Sequence, residues 1–252
     1  MANLLTLKAT LRYTQPPVWR RLVLPDALTF WELHFALQLA FGWDNAHLFE
    51  FSTGRGTPND LLTGTPPVHP GEEDELPEWW RDPRQVTLAA VLRAPKDKVS
   101  YVYDMGDYWE HQLVVEKATP LPPNAPLPPV RCPDGRRAGP PEDIGGIPGY
   151  EMLLDALAEK AAGTRKRMPG HFAGLGKYNP DLPELDIVNE HLAILPDLVA
   201  EQNTIIEEYR RQLAAQPRPS RQRPTPDQLL QMLAALPTPS VPPVAPKKPK
   251  KS

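Results

Sequence analysis

Proline decides where this chain can fold regularly. Ten prolines lie between Pro120 and Pro148, and ten more between Pro217 and Pro249. Each fixes its own φ and lacks an N–H, so both segments are expected to be loop or tail and not core. Regular elements must form before, between and just after these clusters.

The opening segment fits that expectation. "LLTLKATLRY" alternates, with Leu5, Leu7, Ala9, Leu11 and Tyr13 on one face and Thr6, Lys8, Thr10 and Arg12 on the other. That period of two is a half-buried strand. "QPP" breaks it, and "VWRRLVLP" returns as a second strand, making a β-hairpin. In "TFWELHFALQLAFG", Thr29 with Glu32 three places on is a capping-box signature, and Gly42 stands where a helix-ending glycine belongs. Phe30, Leu33, Leu37, Ala40 and Phe41 form the apolar stripe, and "HLFEF" puts His47, Phe49 and Phe51 on one face of a third strand.

Residues 54–86, with the acidic run "GEEDE", read as a surface excursion, and "TLAAVLRAP" as a short helix stopped by Pro95. "KVSYVYDMGDYWEHQLVVEKA" is a second hairpin turning at "DMGD". After the first proline cluster, Pro148 sits near the first turn of a helix from about Tyr150 to Ala162, where its missing N–H is no loss. "LDIVNEHLAIL" and "LPDLVAEQNTIIEEYRRQLAAQ" are helical, and Pro217 to Ser252 has the composition of a disordered tail. The sum is an α+β fold: a mainly antiparallel sheet, opened by a hairpin–helix–strand unit that is faintly ubiquitin-like, with helices packed on one face. Three regions are expected: a domain over 1–190, a helical extension over 191–216, and a Pro-rich basic tail over 217–252.

Charge is unevenly spread. From Ile205 onward there are nine Lys/Arg against three Asp/Glu, so the overall −3 leaves residues 1–204 at −9. The expected domain is acidic, which argues against broad affinity for nucleic acid. One cysteine, Cys132, excludes an internal disulfide framework. With no leader pattern after Met1 and no apolar run of spanning length, the expected place is the cytoplasm and no membrane contact is expected.

Five ordered stretches, "PPVWRRLVLP", "TFWELHFALQLAFGW", "HLFEF", "YVYDMGDYWEH" and "RCPDGRRAGPPEDIGGIPGYEMLL", resemble the plasmid pRiA4b ORF-3-like family over about residues 3 to 190. That family is widespread in bacteria, occurs at times with plasmids and mobile elements, and in some members carries a resolvase-like label. The resemblance implies a fold and assigns no reaction. Two departures matter. Members often read H-L-H where this chain has His47-Leu48-Phe49, and many have a cysteine where Gly139 precedes "PPED". Had those positions bound a metal with Cys132, this chain would lack two of the ligands.

Recombinase chemistry fails on the residues. The first serine is Ser52, in a glycine-rich turn, and no histidine has an arginine three places on. Metal binding has candidates in His34, His47 and His111, read as facing inward from apolar faces, with Cys132. Yet no H-x-H, H-x-x-x-H or C-x-x-C occurs, and a lone core histidine usually hydrogen-bonds a neighbour. Acid–base chemistry could draw on Asp104, Asp107, Glu110, Glu142 and Asp143, with His47 or His111 as base. Against it, Asp104 and Asp107 flank Gly106 in a tight turn, where aspartate bonds its own backbone.

"RAGPPEDIGGIPGY" holds three prolines, four glycines and the acid pair Glu142-Asp143, and lacks the lysine of a phosphate loop. It reads as a rigid, self-bonded loop packed on the sheet and launching a helix, with the acids taking backbone N–H groups.

The favoured function is a non-catalytic binding or interaction module. Trp19, Arg20 and Arg21, with Tyr103 and Trp109 on the sheet, are its candidate contacts, and a protein or nucleic acid engaged through the sheet and the basic tail is its partner. The alternative is a hydrolytic or metal-dependent enzyme using the His and Asp/Glu set. No cofactor is expected.

Overall fold

The computed structural model describes residues 2–54, 62–66 and 80–215. The acidic run "GEEDE" and the Pro-rich tail lie outside the described residues. The compact unit reaches Leu213.

Strands β1 (Asn3–Leu11) and β2 (Trp19–Pro25) form the opening hairpin, paired antiparallel from Leu4↔Pro25 to Thr10↔Trp19. Helix α1 (Phe30–Phe41) follows, then β3 (Phe49–Ser52), β4 (Leu62–Gly64), β5 (Lys98–Tyr103), β6 (Trp109–Pro120) and β7 (Arg131–Arg136). All pairings are antiparallel, in the order β4-β3-β5-β6-β1-β2-β7. Helices α2 (Gly146–Ala161), α3 (Leu185–Ala193) and α4 (Leu195–Ala215) complete it. This is the α+β class expected from the sequence.

The alternation of β1 is realised residue by residue, with Leu5, Leu7, Ala9 and Leu11 buried and Thr6, Lys8 and Thr10 half-buried. On α1, the Thr29 side chain accepts the Glu32 amide while Glu32 takes the Thr29 amide, and Gly42 ends the helix left-handed. The helix is buried more widely than its apolar stripe: Trp31, Phe35, Ala36 and Gln38 are covered along with the inward-facing His34. The cause is tertiary. Trp31 and His34 pack on Phe49, Gln38 donates to the Tyr101 hydroxyl, and α3 packs against α1 as well as against β7. Each fully buried aromatic or aliphatic side chain here contributes about 1.5–3 kcal/mol.

Three local expectations change. The first proline cluster contains a strand, β7, which tolerates Pro133 because it is the last strand of the sheet. The expected surface excursion carries β4, paired with β3. "TLAAVLRAP" forms only a 3₁₀ turn at Leu88–Ala90, whose free first amides, those of Leu88 and Ala89, donate to the carbonyls of Leu28 and Asp26.

The helix α3 crosses residue 190, and Val188, Leu192, Leu195 and Val199 all enter the main core. Its Asn189 accepts the Cys132 amide at 2.8 Å and donates to the Cys132 carbonyl at 2.9 Å. Among the described residues no helix is long and apolar enough to cross a membrane.

Candidate functional site

Residues 137–149, a loop running into the first turn of α2, form a strap whose bonds run outward. The Arg137 carbonyl accepts from Arg20, the Gly139 carbonyl from the Tyr178 hydroxyl, and the Pro140 carbonyl from the Trp43 indole. Glu142 Oε1 accepts both the Asp44 amide (2.8 Å) and the Tyr103 hydroxyl (2.8 Å). The Gly145 amide donates to Asp107. Three glycines are dictated by contact: a Cβ on Gly139 would collide with the Phe41 carbonyl, one on Gly146 with that of Asp107, and one on Gly149 with that of Ile144. The expected self-bonded loop is therefore a cross-tie between α1, the segment that follows it and the β5–β6 turn.

The strap delivers one side chain to open ground. His47 precedes β3, half-buried at the sheet's end, and its Nε2 lies 3.0 Å from Asp143 Oδ1. Asp104 approaches from the other side, its Oδ2 3.8 Å from the same nitrogen. Ligand atoms of His47, Asp104 and Asp143 all lie within 4.8 Å of one another. Asp104 and Asp143 have φ of 57° and 53°, and Asp104 Oδ1 accepts the Gly106 amide. A cavity of about 460 Å³ borders the cluster, lined in part by Trp31, Asn45, Thr65, Met105 and Ile206.

With this arrangement in view, the comparisons are specific. The profile of the plasmid pRiA4b ORF-3-like protein family matches residues 3–186. The chain belongs to that family. The uncharacterized protein y4hQ of Sinorhizobium fredii is 34% identical to it over 166 residues, covering 64% of this chain and 76% of its own. The crystal structure of MM3350, a protein of unknown function from Methanosarcina mazei, is similar with a TM-score of 0.60 at 27% identity, covering 74% of this chain and 97% of its own.

In this pRiA4b ORF-3-like chain His34 and His111 do not join the cluster. His34 is sealed in the core, its Nε2 donating to Asn45 Oδ1 (2.6 Å) and its Nδ1 2.9 Å from the Tyr101 hydroxyl, which also accepts from Gln38. Both ring nitrogens are engaged, and desolvation lowers its pKa to about 3. His111 is equally sealed among Phe41, Trp43 and Tyr101, with Nδ1 donating to the Trp109 carbonyl and Nε2 without a partner among the described residues. Burial lowers its pKa to about 3 as well. The three histidines read as facing inward thus separate, two in the core and His47 at the rim. Cys132 is buried on β7, and desolvation raises its thiol pKa.

The remaining candidates are spoken for. Asp107 caps the Gly145 amide, and Glu110 pairs with Arg12 and bonds the Tyr13 hydroxyl. Glu142 holds Asp44 and Tyr103 through one oxygen, while Oε2 is buried without a partner among the described residues. Tyr103 and Trp109 are fully buried, stacked on Trp43, so neither forms an outer sheet surface. Arg21 pairs with Glu116 and Asp134 across the sheet, and with Lys8 lies over the Trp19 ring. Arg20 is no surface residue at all, being 2% exposed. The signal was in its phase: Arg20 alternates in step with Leu22 and Leu24 on the buried face of β2.

Proposed function

We propose that this protein is a binding module whose ligand site is the rim where His47, Asp104 and Asp143 meet, and that the site takes a divalent cation. The convergence of one imidazole and two carboxylates within 4.8 Å carries the reading. Neighbouring ligands each about 2.1 Å from a zinc ion lie about 3.0–3.5 Å apart. The observed separations of 3.0 and 3.8 Å bracket that range, so small side-chain shifts suffice. One nitrogen and two hard oxygens suit Zn²⁺ or Mn²⁺ better than a thiophilic ion. Working in the cytoplasm accords with a lone, buried thiol.

The bordering cavity favours a second reading, in which the cation activates water against a ligand held there. Both are tested by calorimetric titration of the metal-stripped full chain with ZnCl₂ and MnCl₂. Saturable binding weakened about tenfold or more in His47→Ala and Asp104→Asn supports the site. No binding, or binding that both substitutions leave unchanged, sinks it. Hydrolysis of p-nitrophenyl esters by the loaded protein, lost in the same variants, would select the second reading.

A further inference from the structure

Arg20 carries a charge that the fold does not neutralise. Its Nε donates to the Ala40 carbonyl at 2.7 Å, and its Nη1 to the carbonyls of Arg137 at 2.7 Å, Trp19 at 3.0 Å and Arg136 at 3.4 Å. Its Cζ lies 5.2 Å from the Phe41 ring centroid. Every hydrogen-bond partner is a carbonyl; no carboxylate pairs with it among the described residues. The Ala40 bond has a structural purpose, since the end of α1 has no basic residue of its own and exposes carbonyls of partial negative charge. That accounts for Nε. It does not account for Nη2, which donates to no group among the described residues.

Arg20 borders a cavity of about 470 Å³ enclosed by the end of α1, the strap and α3. That volume falls in the usual range for small-molecule sites. Its lining includes Arg20, Lys177 and His191 with one acid, Glu184, and the apolar side chains Leu39, Leu182 and Ile187. A guanidinium taken out of water favours its charged form less, and desolvation lowers the Arg20 pKa accordingly. Buried charges are ordinarily paired, because an ion without a counter-ion bears its full desolvation cost.

We propose that this cavity binds a small organic anion, with an oxyanion head on Arg20 Nη2 and an apolar body against Leu182 and Ile187. The carbonyls of Ala40 and Arg137 hold the guanidinium in place before the ligand arrives, so little side-chain ordering remains to oppose binding. Carboxylate and phosphate share the required chemistry. The site is separate from the rim cluster and does not depend on a cation there.

The test is calorimetric titration of the full chain, in buffer containing EDTA, with 3-phenylpropionate, phenyl phosphate and the neutral 3-phenylpropan-1-ol. Saturable binding of at least one anion is expected, with the alcohol at least about tenfold weaker. Whichever anion binds names the preferred head group. Arg20→Gln removes the donor and should weaken binding about tenfold or more. Because Arg20 is buried, Ile187→Trp serves as the second variant: Ile187 is exposed, and a larger side chain fills the cavity from its open wall. It should weaken the anion by a similar factor without lowering the melting temperature. The proposal is overturned if neither anion binds at about 10 mM, if the alcohol binds as well as the anions, or if Ile187→Trp titrates like the wild type.

Discussion

Tyr103 donates its hydroxyl to Glu142 Oε1 at 2.8 Å, tying the end of β5 to a loop 39 residues further along the chain. The same hydroxyl accepts the Ala46 amide at 3.0 Å, so one oxygen joins three segments. Burial and the adjoining carboxylate raise the Tyr103 pKa, which keeps the phenol a donor across the ordinary pH range. Tyr103→Phe should therefore cost about 1–3 kcal/mol of stability, read from urea unfolding. Combined with Glu142→Ala it should be less than additive, because both remove the same bond. Strict additivity would mean the strap is held elsewhere.

Acid should loosen the core through two sealed imidazoles. His34 and His111 fall from the ordinary 6.5 to about 3 in the folded chain, because burial disfavours the charged ring. Between those values the unfolded state binds more protons, so stability is complete above 6.5 and drains away as pH falls toward 3. Each histidine contributes a slope of up to about 1.4 kcal/mol per pH unit. Urea unfolding between pH 7 and 5, above most carboxylate titration, should show this fall. In His111→Leu the slope should drop by about half. An unchanged slope in that variant would mean that His111 accepts a proton in place.

Gly139→Ala should destabilise the chain by about 2 kcal/mol or more, since its methyl group would overlap the Phe41 carbonyl and force the strap away from α1. Gly170→Ala, with nothing near its would-be Cβ, should stay within about 0.5 kcal/mol of the wild type. Thermal melts of the two proteins side by side decide the point. Equal melting temperatures would show that the strap yields freely.

What could be read from the residues was what depends on local pattern. The β1 alternation, the Thr29–Glu32 box and the Gly42 stop are each written within a few positions, and each is present as read. β7 was hidden because its "RCPDGR" has neither alternation nor β-branched residues, and only its place at the sheet's end makes Pro133 acceptable. β4 is three residues long, too short for any periodicity to register. The site was legible only in pieces. His47, Asp104 and Asp143 each stood out, but the contact between His47 and Asp143 spans 96 positions and depends on how the strap folds back. His34, by contrast, was correctly placed toward the core by its neighbours on α1, and what the pattern could not supply was the chain of partners, Gln38, Tyr101 and Asn45, that occupies it.

The pairing of Asn189 with Cys132 has a consequence for how these molecules behave in a crowd. A terminal strand offers its main-chain donors and acceptors to any extended peptide that drifts past, and such docking is how sheets grow from one molecule into the next. At Cys132 both groups are already satisfied by a single carboxamide from α3, which stands in for the missing neighbour. One asparagine thus leaves neither main-chain group of Cys132 free to receive a strand from another molecule.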